Sequence, residues 1–447
     1  MLLKHNILIL RHLYKLLFLI TISLFPGIIT AQVPGETVQK AKDFLILLEK
    51  QKFEEATDYF EPIVYNQLPA SKLKDIWIQI NNQVGSFEKL ARSRTETMKN
   101  WNVVYLTCKF EKSLLDLKLV FTEEDKIAGI FFVPSKPEIE YQLPPYAIKD
   151  SYEENPIKVI SGSYELPGTL TIPKNKESFP LIVFVHGSGP NDRDETTGPN
   201  KLFKDLATGL ASMGIATLRY DKRTLVYREQ DDFITPEQET IEDARSAILL
   251  GGQIPGVSEV LILGHSLGAN LLPIIATGQE SLKGMIMMAG NARPLEDLIL
   301  EQFTYLLSQN NLTQENEQTL DEIKTKVDLV KSDNLTEDTM REQLPINIPA
   351  SYWLYLKNYE PVKTLKKLKI PVLILQGERD YQVTMKDFDI WEQALSRKKN
   401  VNLRSYENLN HLFMEGEGKS NPQEYTVPSH AAYYVIQDIA NWVEEQK

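Results

Sequence analysis

VLILGHSLGANLLPIIAT (260–277) is the stretch on which the reading of this chain turns. Val260–Leu263 is a short uninterrupted apolar run, the pattern of a strand buried on both faces, and Ala269–Thr277 has the spacing of a helix. Between them Gly264-His265-Ser266-Leu267-Gly268 leaves room only for a sharp turn. A serine placed there is forced into strained backbone angles, with its hydroxyl above the sheet and the N–H of Leu267 aimed at the same point. A Gly-Ser turn of purely structural use is the competing reading. The strand before it and the helix after it argue for a nucleophile at Ser266.

Outward from this turn the same rhythm repeats. Apolar runs at Leu181–Val185, Ile215–Leu218, Gly284–Met288 and Pro371–Leu375, with a shorter alternating one at Val401–Tyr406, predict further strands. Helical spacing at Lys201–Met213, Pro236–Leu250, Met385–Ser396 and His430–Glu445 separates most of them. Strands alternating with helices predict an α/β domain, a parallel sheet covered on both faces, over residues 150–447. Ile157–Gly162 and Gly168–Ile172 predict an antiparallel hairpin at its edge. Residues 291–368 break the rhythm with helical segments at Leu295–Gln309, Glu315–Lys331 and Ser351–Lys357. They are too long for a loop and predict a helical cap over the C-terminal edge of the sheet.

Serine is a weak nucleophile at neutral pH and needs a base. Of six histidines, His5 and His12 lie in the first residues, His265 flanks Ser266 and His186 ends a strand. His411, in the polar loop after Val401–Tyr406, and His430, at the start of the last helix, remain. The loop position at the C-terminal edge of the sheet favours His411. Its orienting carboxylate is read as Asp380 in Gly377-Glu378-Arg379-Asp380, with Glu378 as the rival acid. His186-Gly187-Ser188-Gly189-Pro190 ends another strand, and its glycines let the main chain approach a reacting carbonyl. The N–H of Ser188 is the expected second donor to an oxyanion beside Leu267. The polar run Asn191–Asp194 reads equally as pocket wall or as solvated loop. Neither His-x-x-x-His nor Cys-x-x-Cys occurs, so no metal and no cofactor is expected.

The remainder of the chain is organised around this domain. With 447 residues, 42% hydrophobic and 25% charged, it is long enough for two globular domains. A net charge of −12 argues against nucleic acid and anionic membrane surfaces as partners. Residues 1–31 carry Lys4, Arg11 and Lys15 and no acid, then the uncharged run LLFLITISLFPGIIT (16–30), which predicts a cleaved secretory signal peptide. A retained membrane anchor is the alternative, disfavoured by the shortness of the run and by Pro26 and Gly27. The single cysteine, Cys108, excludes an intrachain disulfide and fits export to a periplasm or exterior without one. Residues 32–133 show helical spacing first and strands after: Val38–Lys50, Phe53–Phe60 and Ser71–Gln83, then Phe87–Met98, Val103–Glu111, Leu115–Phe121 and Ile127–Val133. This predicts a small α+β domain, joined by a proline-rich linker at 134–149.

Six segments carry a resemblance: HGSGPNDRD (186–194), LRYDKR (218–223), GHSLG (264–268), AGNARPLEDL (289–298), GERDYQV (377–383) and NHLF (410–413). From about residue 150 onward the chain resembles the α/β-hydrolase superfamily, most nearly secreted bacterial serine esterases with a small N-terminal domain. That domain is similar to one of unknown function with a cystatin-like or NTF2-like form. The resemblance implies a Ser266-Asp380-His411 triad with oxyanion donors Ser188 and Leu267. It also implies hydrolysis of small-molecule esters with short-to-medium acyl chains, through an acyl-enzyme. One departure is Thr224, which follows Tyr220-Asp221-Lys222-Arg223 where the family usually has glycine. A peptidase or amidase, or a thioesterase, would use the same groups, and an inert hydrolase-like binding module is the non-enzymatic alternative. The N-terminal domain is expected to serve oligomerisation of identical chains or substrate gating.

Overall fold

The computed structural model describes residues 35–98, 101–135, 141–174, 176–227, 234–309 and 313–446. The predicted signal peptide, residues 1–31, lies outside them, as do residues 136–140 of the predicted linker. The described residues fall into two compact units, 35–135 and 141–446.

The first unit places helices α1 (Gly35–Glu49), α2 (Phe53–Thr57), α3 (Pro62–Gln67) and α4 (Ala70–Val84) before an antiparallel sheet. Its strands β1 (Phe87–Met98), β2 (Trp101–Phe110), β3 (Leu114–Phe121) and β4 (Ile127–Pro134) pair in chain order. The sequence pattern missed α3, which has Pro62 in its first turn and buries none of its residues, so no apolar stripe announces it. One sheet face carries Val104, Leu106, Cys108 and Phe110 with Leu117 and Leu119, and closes over Phe44 and Trp77 of the helices. On the other face cross-strand partners form a polar set. The Arg94 guanidinium lies 3.5 Å over the Tyr105 ring and 3.2 Å from Asp116, which also accepts from Thr107 at 2.6 Å.

The second unit is built on an eight-stranded sheet. Its strands are β5 (Tyr152–Ser161), β6 (Tyr164–Pro173), β7 (Phe179–Val185), β8 (Ala216–Tyr220), β9 (Val257–His265), β10 (Leu282–Met288), β11 (Val372–Gly377) and β12 (Val401–Tyr406). They lie in the order β12-β11-β10-β9-β7-β8-β6-β5. The six from β8 to β12 are parallel, and β6 pairs antiparallel with β8 and β5. The alternation of each strand sorts its side chains into two cores. Leu181, Val183, Val260, Ile262, Val372 and Ile374 face one side, and Ile182, Phe184, Leu261, Leu263, Leu373 and Leu375 the other. Both sides are covered, so the central strands can be apolar throughout. Helices α5 (Leu202–Ser212) and α13 (Tyr433–Glu445) cover the second face. Helices α6 (Glu242–Gly251), α7 (Leu267–Ala276) and α12 (Met385–Leu395) cover the first.

The interval after β10 folds as α8 (Leu295–Ser308), α9 (Gln314–Lys331), α10 (Ala350–Lys357) and α11 (Pro361–Lys367). It is anchored in the first core through Ile299, Val330, Leu344, Trp353 and Leu365 rather than standing off as a detached lid. Residues 141–148, within the predicted linker, have no helix or strand but are tied down by side chains. The Tyr141 hydroxyl donates to Asp205 at 2.6 Å, and the Tyr146 ring stacks 5.3 Å from that of Tyr433. Among the described residues no helix is long and apolar enough to cross a membrane.

Burial pushes the Cys108 thiol up to about 12, so almost no thiolate exists near neutrality. We expect an aromatic disulfide reagent to modify Cys108 only after unfolding; rapid stoichiometric reaction of the folded protein would contradict this placement.

Candidate active site

β9 runs into α7 at Ser266, whose backbone stands at φ 55°, ψ −122°. Few non-glycine residues occupy that region, and it costs about 1–3 kcal/mol. The turn is held by the Ser266 N–H, which donates to the Met288 carbonyl at 2.9 Å, and by its carbonyl, which accepts from Asn270 N–H at 3.0 Å. Gly268 has no room for a side chain, since a Cβ there would sit 2.4 Å from the Val185 carbonyl oxygen. The glycines flanking the serine therefore let α7 approach the ends of β7 and β9.

Asp380 and His411 are brought together from the turns after β11 and β12. His411 Nδ1–H donates to Asp380 Oδ2 at 2.6 Å, both side chains being buried. Asp380 Oδ1 accepts the N–H groups of Gln382 at 2.7 Å and Val383 at 3.1 Å, and Gln376 Nε2 donates to Oδ2 at 3.2 Å. These donors fix the carboxylate, and the carboxylate holds the imidazole through Nδ1. The loop bearing His411 is shaped by Asn410, whose side-chain oxygen accepts from the N–H groups of Leu412 and Met414. The rival acid, Glu378, is exposed and accepts from Ser405 at 2.7 Å. His430 pairs with Asp205 at 3.2 Å. The structure thus pairs Asp380 with His411 and gives Glu378 and His430 other partners.

The loop after β7 lies against Ser266, because a Cβ on Gly187 would be 3.2 Å from Ser266 Cβ. Among the described residues, neither the Ser188 N–H nor the Leu267 N–H has a hydrogen-bond acceptor in the protein. The Gly187 peptide is gripped from two sides. Its N–H donates to Glu195 Oε1 at 2.7 Å, and its carbonyl accepts from Lys222 Nζ at 3.0 Å and Asn191 Nδ2 at 3.2 Å. In a trans peptide the carbonyl and the following N–H point opposite ways, so pinning the Gly187 carbonyl sets the direction of the Ser188 N–H. Lys222 is buried and 3.1 Å from Glu239, which also accepts from the Tyr352 hydroxyl at 2.8 Å. Glu239 lies in a π-turn, Glu237–Ile241, inside what the sequence predicts as one regular helix.

Lys222 and Glu195 were not singled out by the sequence pattern. A buried lysine two residues after β8, bonded to the loop after β7, was a usable signal for the first; no local motif announces the second. The run Asn191–Asp194 proves to be scaffold: Arg193 clasps Asp221 at 2.6 Å, and Asp194 binds Arg219 and Lys201. Arg223 is turned into the fold, binding Asp243 and lying 4.5 Å from the centre of the Tyr164 ring. Thr224 stands in the short helical turn Arg223–Val226. Helix α8 reaches the acid loop, where Gln302 Nε2 donates to the Gln382 carbonyl at 2.9 Å and Tyr305 stacks 5.4 Å from Tyr381. Among the described residues no group of three or more His, Cys, Asp or Glu could hold a metal ion.

Replacing Lys222 with methionine strands Glu239 and should cost about 3–5 kcal/mol in stability. We expect kcat to fall about 10- to 100-fold, with KM within about threefold, as the Ser188 N–H loses its alignment. Adding Glu239→Gln should recover stability but not kcat in urea unfolding and steady-state assays. Recovery of both would contradict the assigned role.

Comparison with known proteins places this geometry in a family. Residues 180–419 match the family described as serine aminopeptidase, S33, and residues 41–130 match a family of unknown function, DUF3887. Esterase EstD of Thermotoga maritima is 39% identical over 427 residues, covering 94% of this chain and 98% of that protein. Among solved structures, Est1E from Butyrivibrio proteoclasticus is 18% identical with a TM-score of 0.42, covering 65% of this chain and 98% of its own. The esterase domain of a Rhodothermus marinus protein is 16% identical with a TM-score of 0.41, covering 66% and 98%. The chain belongs to the serine aminopeptidase S33 family of α/β-hydrolases and carries a DUF3887 domain ahead of the hydrolase unit.

Proposed function

We propose that this protein is a carboxylesterase that cleaves small-molecule esters of short-to-medium acyl chains through an acyl-enzyme on Ser266. The observation that carries the reading is the His411–Asp380 pair at 2.6 Å, set in the same unit as a serine held at φ 55°. The name of the 39% identical relative, an esterase, supports the choice of leaving group.

Ser266 Oγ attacks the ester carbonyl while His411 Nε2 takes its proton, and Asp380 stabilises the imidazolium that forms. The N–H groups of Ser188 and Leu267 hold the negative oxygen of the tetrahedral intermediate. His411 returns the proton to the departing alcohol, leaving Ser266 acylated. Water, losing its proton to His411, then attacks the acyl carbonyl, and the serine leaves reprotonated with release of the acid. Every proton passes through one imidazole, so its tautomer decides the rate.

Ser266→Ala is expected to lower hydrolysis of nitrophenyl butyrate by about 10⁴-fold or more while the circular dichroism spectrum stays unchanged. Full activity in that variant would contradict the assignment. The family description names a peptidase, so amino-acyl nitroanilides belong in the same assay, with a series of acyl lengths. Esters cleaved faster than anilides, with a maximum at short-to-medium chains, are expected; the reverse order would favour the peptidase reading.

We also propose export, on the basic start and apolar run of residues 1–31. Expressed in a Gram-negative host, the protein is expected in the periplasmic or culture fraction with its first residue at Gln32. Cytoplasmic protein retaining Met1 would contradict this.

A further inference from the structure

Behind the reacting groups lies a charged pair that the two-step mechanism does not use. Glu195 and His265 are 5% and 3% exposed. His265 Nε2 is 2.9 Å from the main-chain oxygen of His411, and its Nδ1 is 3.1 Å from Glu195 Oε2. A carbonyl and an ionised carboxylate can only accept, so a ring with a proton on each nitrogen is the form that suits both neighbours. The upward shift of His265 beside Glu195 agrees with a charged ring. The Nδ1 approach lies off the straight hydrogen-bond line, which makes that contact an ionic attraction more than a directed bond.

The other oxygen of the same carboxylate accepts the Gly187 N–H at 2.7 Å. One buried pair thus runs from the oxyanion loop after β7 to the main chain of the base after β12. Glu195 holds a left-handed backbone, φ 51°, unusual for a side-chain-bearing residue. That twist is retained at the one residue of its loop that reaches both Gly187 and His265.

We infer that the Glu195–His265 ion pair is a positioning device, locking the oxyanion loop to the loop that carries His411 so that both meet the ester carbonyl in register. The inference rests on the triad reading. It adds two residues that touch no substrate and act through Gly187 and His411.

The charged and titratable groups facing the pair are His186 at the end of β7, Asp380 after β11 and the His411 ring, 4.6 Å from that of His265, while Lys222, Asp192 and Asp221 act on His186. Burial holds His186 at about 4, so it stays neutral beside the pair. Burial also works against charge on both partners, yet their mutual attraction prevails: His265 lies above its ordinary 6.5 and Glu195 below its ordinary 4.5. The sign follows from linkage. Below the depressed Glu195 value the carboxylate protonates and the lock is lost. Above the raised His265 value the imidazolium loses a proton, and neither neutral tautomer satisfies both acceptors. The lock is intact between these limits.

Glu195→Gln separates charge from shape. Its amide can accept the Gly187 N–H and donate to Nδ1 of a neutral His265, which still donates from Nε2 to His411. Wild type, Glu195→Ala, Glu195→Gln and Ser266→Ala are compared on nitrophenyl butyrate from about pH 5 to about pH 10, with the Ser266→Ala rate subtracted. Glu195→Ala is expected to lower kcat about 10- to 100-fold with KM within about threefold, and Glu195→Gln to recover most of it. The wild type should lose kcat on the alkaline side as His265 deprotonates, and Glu195→Gln should not. Wild-type kcat in Glu195→Ala, or the same alkaline decline in wild type and Glu195→Gln, overturns the inference while leaving the triad intact. Activity in Ser266→Ala would instead overturn the triad reading. Should either glutamate variant fail to fold, imidazole nitrogen spectra of the wild type decide. A doubly protonated His265 at about pH 7.5 supports the lock, and a neutral one removes it.

Discussion

The twist of the backbone at Ser266 is the constraint from which the site follows. A φ of 55° at a residue with a side chain is tolerated only where the surroundings over-determine it. Here the parallel sheet supplies them: β9 ends beside β7 and β10, the serine N–H is bound by Met288, and α7 starts at the next residue. The glycines on either side are required by contact, since the helix passes within a Cβ radius of the carbonyls that end β7. Among the described residues the same turn leaves the Leu267 N–H without an acceptor, so the proposed nucleophile and one proposed oxyanion donor come from a single turn.

Around that turn, strand ends deliver the remaining groups. The chain passes from β8 back across β7 to β9, so loops from β7, β9, β11 and β12 lie along one edge although they are far apart in sequence. Convergence alone is too loose for catalysis, because misplacement by about an ångström can cost about 100-fold. The structure tightens it with buried polar groups. Gln376, Gln382 and Val383 orient Asp380; Asn410 folds the His411 turn; Lys222, Asn191 and Glu195 hold the Gly187 peptide. Several of these are charged pairs with little exposure. Such pairs add little net stability over apolar packing, so geometric specificity is the more economical account of their presence.

The central strands were legible in sequence because each is buried on both faces and reads as an unbroken apolar run, as in Leu181–Val185 and Pro371–Leu375. Ser266 and Asp380 were legible because each stands just after such a strand, and His411 because it lies in the polar loop after the alternating strand Val401–Tyr406. Glu195 was not, since its role depends on a left-handed turn that folds the loop back on Gly187, and no spacing in Asn191–Glu195 encodes that return. His265 was read only as a neighbour of the nucleophile. Its burial, implied by its place at the end of a two-faced strand, was the available hint that it must have polar partners. Helix α11 escaped because it is short and opens with Pro361, and the π-turn at Glu237–Ile241 because a π-turn leaves the apolar spacing nearly helical.

The central claim is that one serine, activated by one histidine, carries the reaction. Labelling the intact protein with a fluorophosphonate and mapping the adduct by peptide mass spectrometry tests it most directly. A single adduct on Ser266, lost or slowed about 100-fold or more in His411→Ala, is the predicted result. An adduct on another residue, or undiminished labelling of Ser266 without His411, would contradict it.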